Sequence, residues 1–217
     1  MRLGRNEQSG EYQSHLYESR NPLIGYIAWL RIMRILDKIA AGDTVLDAGC
    51  GEGYTTSAFA GKCKMAVGVD VVPGRIKKAE RIAKLNGVHG KTKFLCSDLF
   101  KLGGAVKDEF DVVVCSEVME HVDKPKELLE ILQKRVKKGG KLVITYPNEP
   151  VLRFGRKIFF LGKAKKIEDM TDHKISLSRK NIEGFASELG LKIIGYERIP
   201  NLPVAYLNEL FILQRKG

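Results

Sequence analysis

The stretch Val45-Leu46-Asp47-Ala48-Gly49-Cys50-Gly51-Glu52-Gly53 constrains this chain more than any other. Val45 to Ala48 reads as a short buried strand that runs straight into a turn with glycine at alternate positions. Glycine adopts backbone angles that a Cβ forbids, and it lets a ligand lie against the main chain. A helix over residues 54–60 follows, and its first turn points unpaired N–H groups at such a ligand. Many α/β nucleotide folds place glycine here, so the meaning of the turn comes from what recurs after it.

What recurs is an alternation of strands and helices. Further strands are predicted at 65–70, 92–96, 110–115, 141–145, 191–198 and 204–214, with the first at 44–47. Helices are predicted at 73–85, stopped by a left-handed cap at Asn86-Gly87, at 124–136, ended by Gly139-Gly140, and at 178–189, opened by a serine cap and closed by Gly190. The continuous run Val112-Val113-Val114 fits a strand buried on both faces of a parallel sheet. The expected fold class is α/β: a doubly wound, Rossmann-like, seven-stranded, mostly parallel sheet with helices on both faces. Ligands in such sheets bind beyond the carboxyl ends of the strands. Ahead of the sheet, residues 11–41 carry one apolar helical pattern, with Pro22 suited to a first turn and Asn21 to its cap. Residues 1–41 are therefore expected to form a helical segment over the ligand cleft, and 42–217 the main domain. Tyr12, His15, Tyr17 and Arg20 precede that helix and either close over a ligand or pack.

No apolar run reaches the length of a membrane span, and the first ten residues lack the apolar core of a signal. The cytoplasm is the expected compartment. Cys50, Cys63, Cys96 and Cys115 form no Cys-x-x-Cys pair, which argues against a zinc knuckle and for small buried hydrophobes. A net charge of +11 favours an acidic partner, whether RNA, an anionic lipid surface or a phosphorylated metabolite, although a lysine-rich enzyme shows the same charge.

Polar groups stand at the ends of four successive predicted strands: Asp47 with its turn, Asp70, Ser97-Asp98 and Ser116-Glu117. A carboxylate at Asp70 suits both hydroxyls of a ribose, and one at Asp98 an exocyclic amine such as that of adenine. The turn carries no Lys or Arg, lacks the Gly-Lys-Ser/Thr ending of a phosphate loop, and departs from the dinucleotide spacing Gly-x-Gly-x-x-Gly. That pattern suits an adenosine without phosphate.

In these features the chain resembles class I S-adenosylmethionine-dependent methyltransferases. The resemblance is carried by Val45–Gly53, Gly68-Val69-Asp70, 94–99, 110–121 and 136–147, in order and spacing. Within that class it resembles the ubiquinone-pathway O-methyltransferase group. The resemblance implies a cofactor site made of Asp47, Gly49, Cys50, Gly51, Gly53, Asp70, Val71, Ser97, Asp98, Leu99 and Ser116. S-adenosylhomocysteine is the implied product.

The segment Ser116-Glu117-Val118-Met119-Glu120-His121 is the candidate catalytic piece. If it begins a helical turn, Glu117, Glu120 and His121 share one face, a set able to hold a divalent metal and lower the pKa of a bound hydroxyl. Glu-x-x-Glu-His resembles the metal-ligating pattern of ubiquinone-pathway and small-RNA ribose 2′-O-methyltransferases. His173, in Asp172-His173-Lys174, matches the later histidine of the RNA enzymes. Without metal, His121 packs structurally or, like His173, serves as the base, and Glu120 faces water. The catalytic candidates are Glu117 and His121; the metal candidates are Glu117, Glu120, His121 and His173.

Residues 148–177 are expected to form a substrate cap. Within it Val151 to Lys166 is basic and aromatic, with Phe154, Phe159 and Phe160 and no acidic residue. Such a cap suits an acidic, lipid-like acceptor, peripheral membrane contact, RNA bases, or solvent on an ordinary amphipathic helix. The leading reading is methyl transfer to a small-molecule acceptor, at oxygen. RNA ribose methylation is the alternative, followed by a nicotinamide oxidoreductase and a nonenzymatic cofactor-binding module.

Overall fold

The computed structural model describes residues 22–148, 150–151, 174–201 and 206–215, with side chains described from residue 25. The strands are β1 (Thr44–Ala48), β2 (Met65–Asp70), β3 (Thr92–Cys96), β4 (Phe110–Ser116), β5 (Val136–Pro147), β6 (Leu191–Ile199) and β7 (Asn208–Arg215). They form one sheet in the order β3-β2-β1-β4-β5-β7-β6, with β7 antiparallel to β5 and β6. The helices are α1 (Pro22–Leu36), α2 (Tyr54–Ala60), α3 (Pro73–Leu85), the short α4 (Leu102–Ala105), α5 (Pro125–Gln133) and α6 (Arg179–Glu188).

The valine run behaves as its composition demands. Val113 packs with Leu128, Leu132 and Ile182 of α5 and α6, while Val112 and Val114 pack with Ile35 of α1 and Phe59 of α2. One strand thus feeds two cores, and the sheet is covered on both faces. Strand order reverses between β1 and β4, which opens a crevice at their carboxyl ends.

Element bounds shift by a few residues, the last strand beginning at Asn208, and two expectations fail outright. Gly139 and Gly140 do not end a helix; they lie inside β5, which begins at Val136. Val136 pairs with Phe110 and Lys141 with Val112, so the register slips between them. Gly139 has φ 78, and a Cβ on Gly140 would meet the Asp111 carbonyl at 2.8 Å. The glycines make a bulge that only they can make. The second difference is Cys96, which is exposed, while Cys50, Cys63 and Cys115 are buried. The serine cap of α6 is present as a reciprocal box between Ser178 and Asn181. Tyr12, His15, Tyr17, Arg20 and the aromatics of the cap lie outside the described residues.

Candidate active site

The glycine turn is held from below by β2. Gly49 N–H and Cys50 N–H both donate to the Val69 carbonyl, at 2.8 and 2.9 Å. Gly49, Gly51 and Gly53 take φ of 80, 54 and 78°, the left-handed region. Neighbours forbid a side chain at two of them: a Cβ on Gly49 would stand 2.4 Å from Val118 Cγ2, and one on Gly53 2.5 Å from Ala79 Cβ. Gly49→Ala is therefore expected to lower unfolding free energy by about 2–5 kcal/mol, from left-handed strain and overpacking together. Adding Val118→Ala should recover the overpacking part in urea melts. A Gly49→Ala protein as stable as the parent would contradict this account of the turn.

Asp70 closes β2 and is buried. It accepts from Gly51 N–H through Oδ2 at 3.0 Å and from Val72 N–H through Oδ1 at 2.9 Å. Arg75 Nη1 stands 3.9 Å from Oδ2. The carboxylate thus shapes the turn, and each oxygen keeps a second lone pair for a ligand hydroxyl. Val71, next in the chain, is 60 % exposed, an apolar surface left bare beside that carboxylate. Across from it, Asp98 Oδ1 accepts from Phe100 N–H at 2.9 Å and caps a single turn, Leu99–Lys101. Ser97 N–H binds the Asp70 carbonyl at 3.0 Å, which fixes the β3 end to the β2 end. Asp47 is almost fully buried and braces α2: Thr55 and Thr56 hydroxyls both donate to its Oδ2, at 2.8 and 2.6 Å. Burial pushes its carboxyl up to about 6.

The end of β4 departs from the expected helical turn. Glu117 has φ 56, the single non-glycine residue with positive φ among the described residues, and only Met119–His121 form a 3-10 turn. Its carboxylate turns toward β5, β7 and α1. Thr145 Oγ1 donates to Oε1 at 3.1 Å, Asn208 Nδ2 donates to Oε2 at 2.9 Å, and Arg31 Nη1 lies 3.2 Å from Oε2. Ser116 Oγ shares a hydrogen bond of 2.8 Å with Thr145 Oγ1. Glu120 is buried, not facing water, and its carbonyl accepts from Lys174 and Ile175 N–H.

The expected shared face of Glu117, Glu120 and His121 is therefore not formed. A left-handed residue at 117 breaks the helical repeat, and three donors draw its carboxylate elsewhere. Among the described residues no group of three or more His, Cys, Asp or Glu is arranged to hold a metal; His173 lies outside them. The donor set in view does not fit a divalent metal. Glu117 is instead engaged by Arg31, Thr145 and Asn208.

Arg31, Thr145 and Asn208 escaped the sequence reading. A signal for Arg31 existed: Ala28, Arg31 and Ile35 form the buried stripe of α1, and a cation on such a stripe requires an anion. Thr145 and Asn208 reach Glu117 through strand register, Ser116 opposite Thr145 and Pro147 opposite Asn208, which no local pattern announces.

A family model described as a methyltransferase domain matches residues 39–182. The mitochondrial ubiquinone biosynthesis O-methyltransferase of Schizosaccharomyces pombe is 34% identical over 106 residues, 48% of this chain and 38% of that protein. Its counterpart from Idiomarina loihiensis is 34% identical over 110 residues, 51% of this chain and 44% of that protein. The match thus spans less than half the length of these relatives. The crystal structure of the N-methyltransferase NodS from Bradyrhizobium japonicum WM9 in complex with S-adenosylhomocysteine shares the fold, with TM-score 0.67 and 18% identity over 92% of this chain and 90% of that one. This chain belongs to the methyltransferase domain family, with the class I, S-adenosylmethionine-dependent architecture that its motifs resemble.

Proposed function

We propose that the protein transfers a methyl group from S-adenosylmethionine to an oxygen of a small-molecule acceptor. The observation that carries this reading is the convergence at adjacent strand ends of a glycine turn with no Lys or Arg of its own, the buried Asp70 carboxylate and the bare Val71 surface. In it the backbone of Gly49, Cys50, Gly51 and Gly53 supports the amino-acid and ribose portion. Asp70 takes the ribose diol, Val71 and Leu99 face the purine, Ser97 and Asp98 meet its amine, and Ser116 borders the methyl end. The ubiquinone-pathway relatives, named O-methyltransferases, support oxygen as the acceptor atom.

When bound, S-adenosylmethionine supplies a methyl already activated by positive sulfur, so the chain's work is positioning, which is worth about 7–11 kcal/mol for well-oriented reactants. With that donor bound, His121 would take the proton of the acceptor oxygen as the oxygen gains the methyl group. Helix α1 lies against the cleft through Arg31, which supports assigning residues 1–41 as its cover. Four free thiols are consistent with a reducing compartment such as the cytoplasm, and among the described residues no helix is long and apolar enough to cross a membrane.

The net charge of +11 favours one second reading, RNA ribose 2′-O-methylation. One experiment addresses both: incubation with isotopically labelled methyl donor and cell extract. Label is expected in the small-molecule or lipid fraction. Label in RNA, lost with Arg153, Arg156 and Lys157 neutralised, would install the second reading. S-adenosylhomocysteine at 100 times its Kd should stabilise the fold by about 2.7 kcal/mol, and NAD should not; the reverse would remove the cofactor assignment.

A further inference from the structure

Glu117 is held in a backbone conformation that non-glycine residues avoid. Residues so held persist only where their surroundings over-determine them, and such strain collects at functional sites. Here the surroundings come from three elements: Arg31 of α1, Thr145 of β5 and Asn208 of β7. Arg31 is buried and the Glu117 side chain is 19 % exposed, so the two charges answer each other largely shielded from water. Immediately after Glu117, Val118 lies on Gly49, the first glycine of the turn. The strained residue therefore sits between the N-terminal helix and the cofactor cradle, and its φ decides where Val118 stands.

We propose that Arg31 and Glu117 are a positioning pair: the ion pair between α1 and the end of β4 holds Glu117 left-handed, and so seats Val118 against the glycine turn. Docking of α1 thereby completes the cradle. In this role the pair acts through Val118, which stands against Gly49, rather than on the acceptor. The inference rests on reading the crevice as the S-adenosylmethionine site, which binding of S-adenosylhomocysteine by the unaltered protein tests on its own.

The test must separate positioning from simple stability. Arg31→Met leaves the mostly buried Glu117 carboxylate without its cation, with only Thr145 and Asn208 to hold it, so it is expected to lose both stability and affinity. The double variant Arg31→Met/Glu117→Gly removes both charges and the strain, since glycine accepts the left-handed backbone. Thr145 and Asn208 lose their acceptor in it, so it is expected to melt below the parent but above Arg31→Met. It should nonetheless bind S-adenosylhomocysteine at least tenfold more weakly by calorimetry. Arg31→Lys, which keeps the charge, should restore most of the affinity lost in Arg31→Met. Parental affinity in the double variant would overturn the proposal. So would affinity that follows melting temperature alone across all three proteins.

Discussion

Asp70→Ala is expected to weaken S-adenosylhomocysteine binding at least 100-fold and to lower the stability of the ligand-free protein as well. Two hydroxyl donors to one carboxylate contribute about 1.5–3 kcal/mol each, and each 1.4 kcal/mol is tenfold. The structural share has a separate source. Gly51 N–H and Val72 N–H lose their acceptors, and groups left unsatisfied at a buried site cost about 1–3 kcal/mol each. The two contributions separate in a cycle with an analogue of S-adenosylhomocysteine that lacks the ribose diol. The parent protein should discriminate strongly between the two ligands, and the alanine variant hardly at all. If the variant still prefers the diol as strongly as the parent does, Asp70 only shapes the turn, and the ribose is bound elsewhere.

That double duty marks the border of what the sequence discloses. Alternating strands, the valine run and the glycine turn are local patterns, and a mostly parallel seven-stranded sheet follows from them; its switch point between β1 and β4 is visible only in the structure. The polar strand ends follow too, because a strand end is fixed by the strand before it. Their partners do not. Asp70 is legible as a carboxylate at an edge, but its bonds to Gly51 and Val72 depend on how the turn folds back. Glu117 shows the same limit more sharply. Its spacing to Glu120 and His121 is helical in sequence, yet Arg31 lies 86 positions earlier and Asn208 91 positions later. Long-range donors overrode local periodicity, and with it the shared face of Glu117, Glu120 and His121. Gly139-Gly140 fail for a related reason: paired glycines read as a helix stop, but the Asp111 carbonyl of the neighbouring strand is what demands them.

Asp47→Asn is expected to stabilise the folded protein at pH 8 and to lose that advantage at pH 4. The Asp47 carboxyl is raised from 3.8 to about 6, mainly because burial strips water from the anion; bonds from Thr56 and Thr55 oppose the rise, and the Asp70 charge adds to it. Between these two values the folded chain keeps a proton that the unfolded chain has released. Stability therefore falls as pH rises through that window, and above it the full penalty of about 3 kcal/mol is present. An asparagine oxygen can accept from both threonines without the charge, so the variant should recover much of that penalty, less the cost of burying an amide N–H. For a chain of this size each kcal/mol moves the melting temperature by about 2–4 °C. Melting curves at pH 4, 6 and 8 give the difference directly; a gap independent of pH would show that Asp47 carries no such burden. The penalty has a use if the ligand is the proposed one. A cation brought into the crevice stabilises the ionised form of Asp47, so binding near pH 6 should release a proton, seen as a buffer-dependent heat in calorimetry. The asparagine variant should bind more weakly and release none. On the proposed ligand, stability held back in the empty protein would return when positive charge arrives, a role that asparagine could not fill.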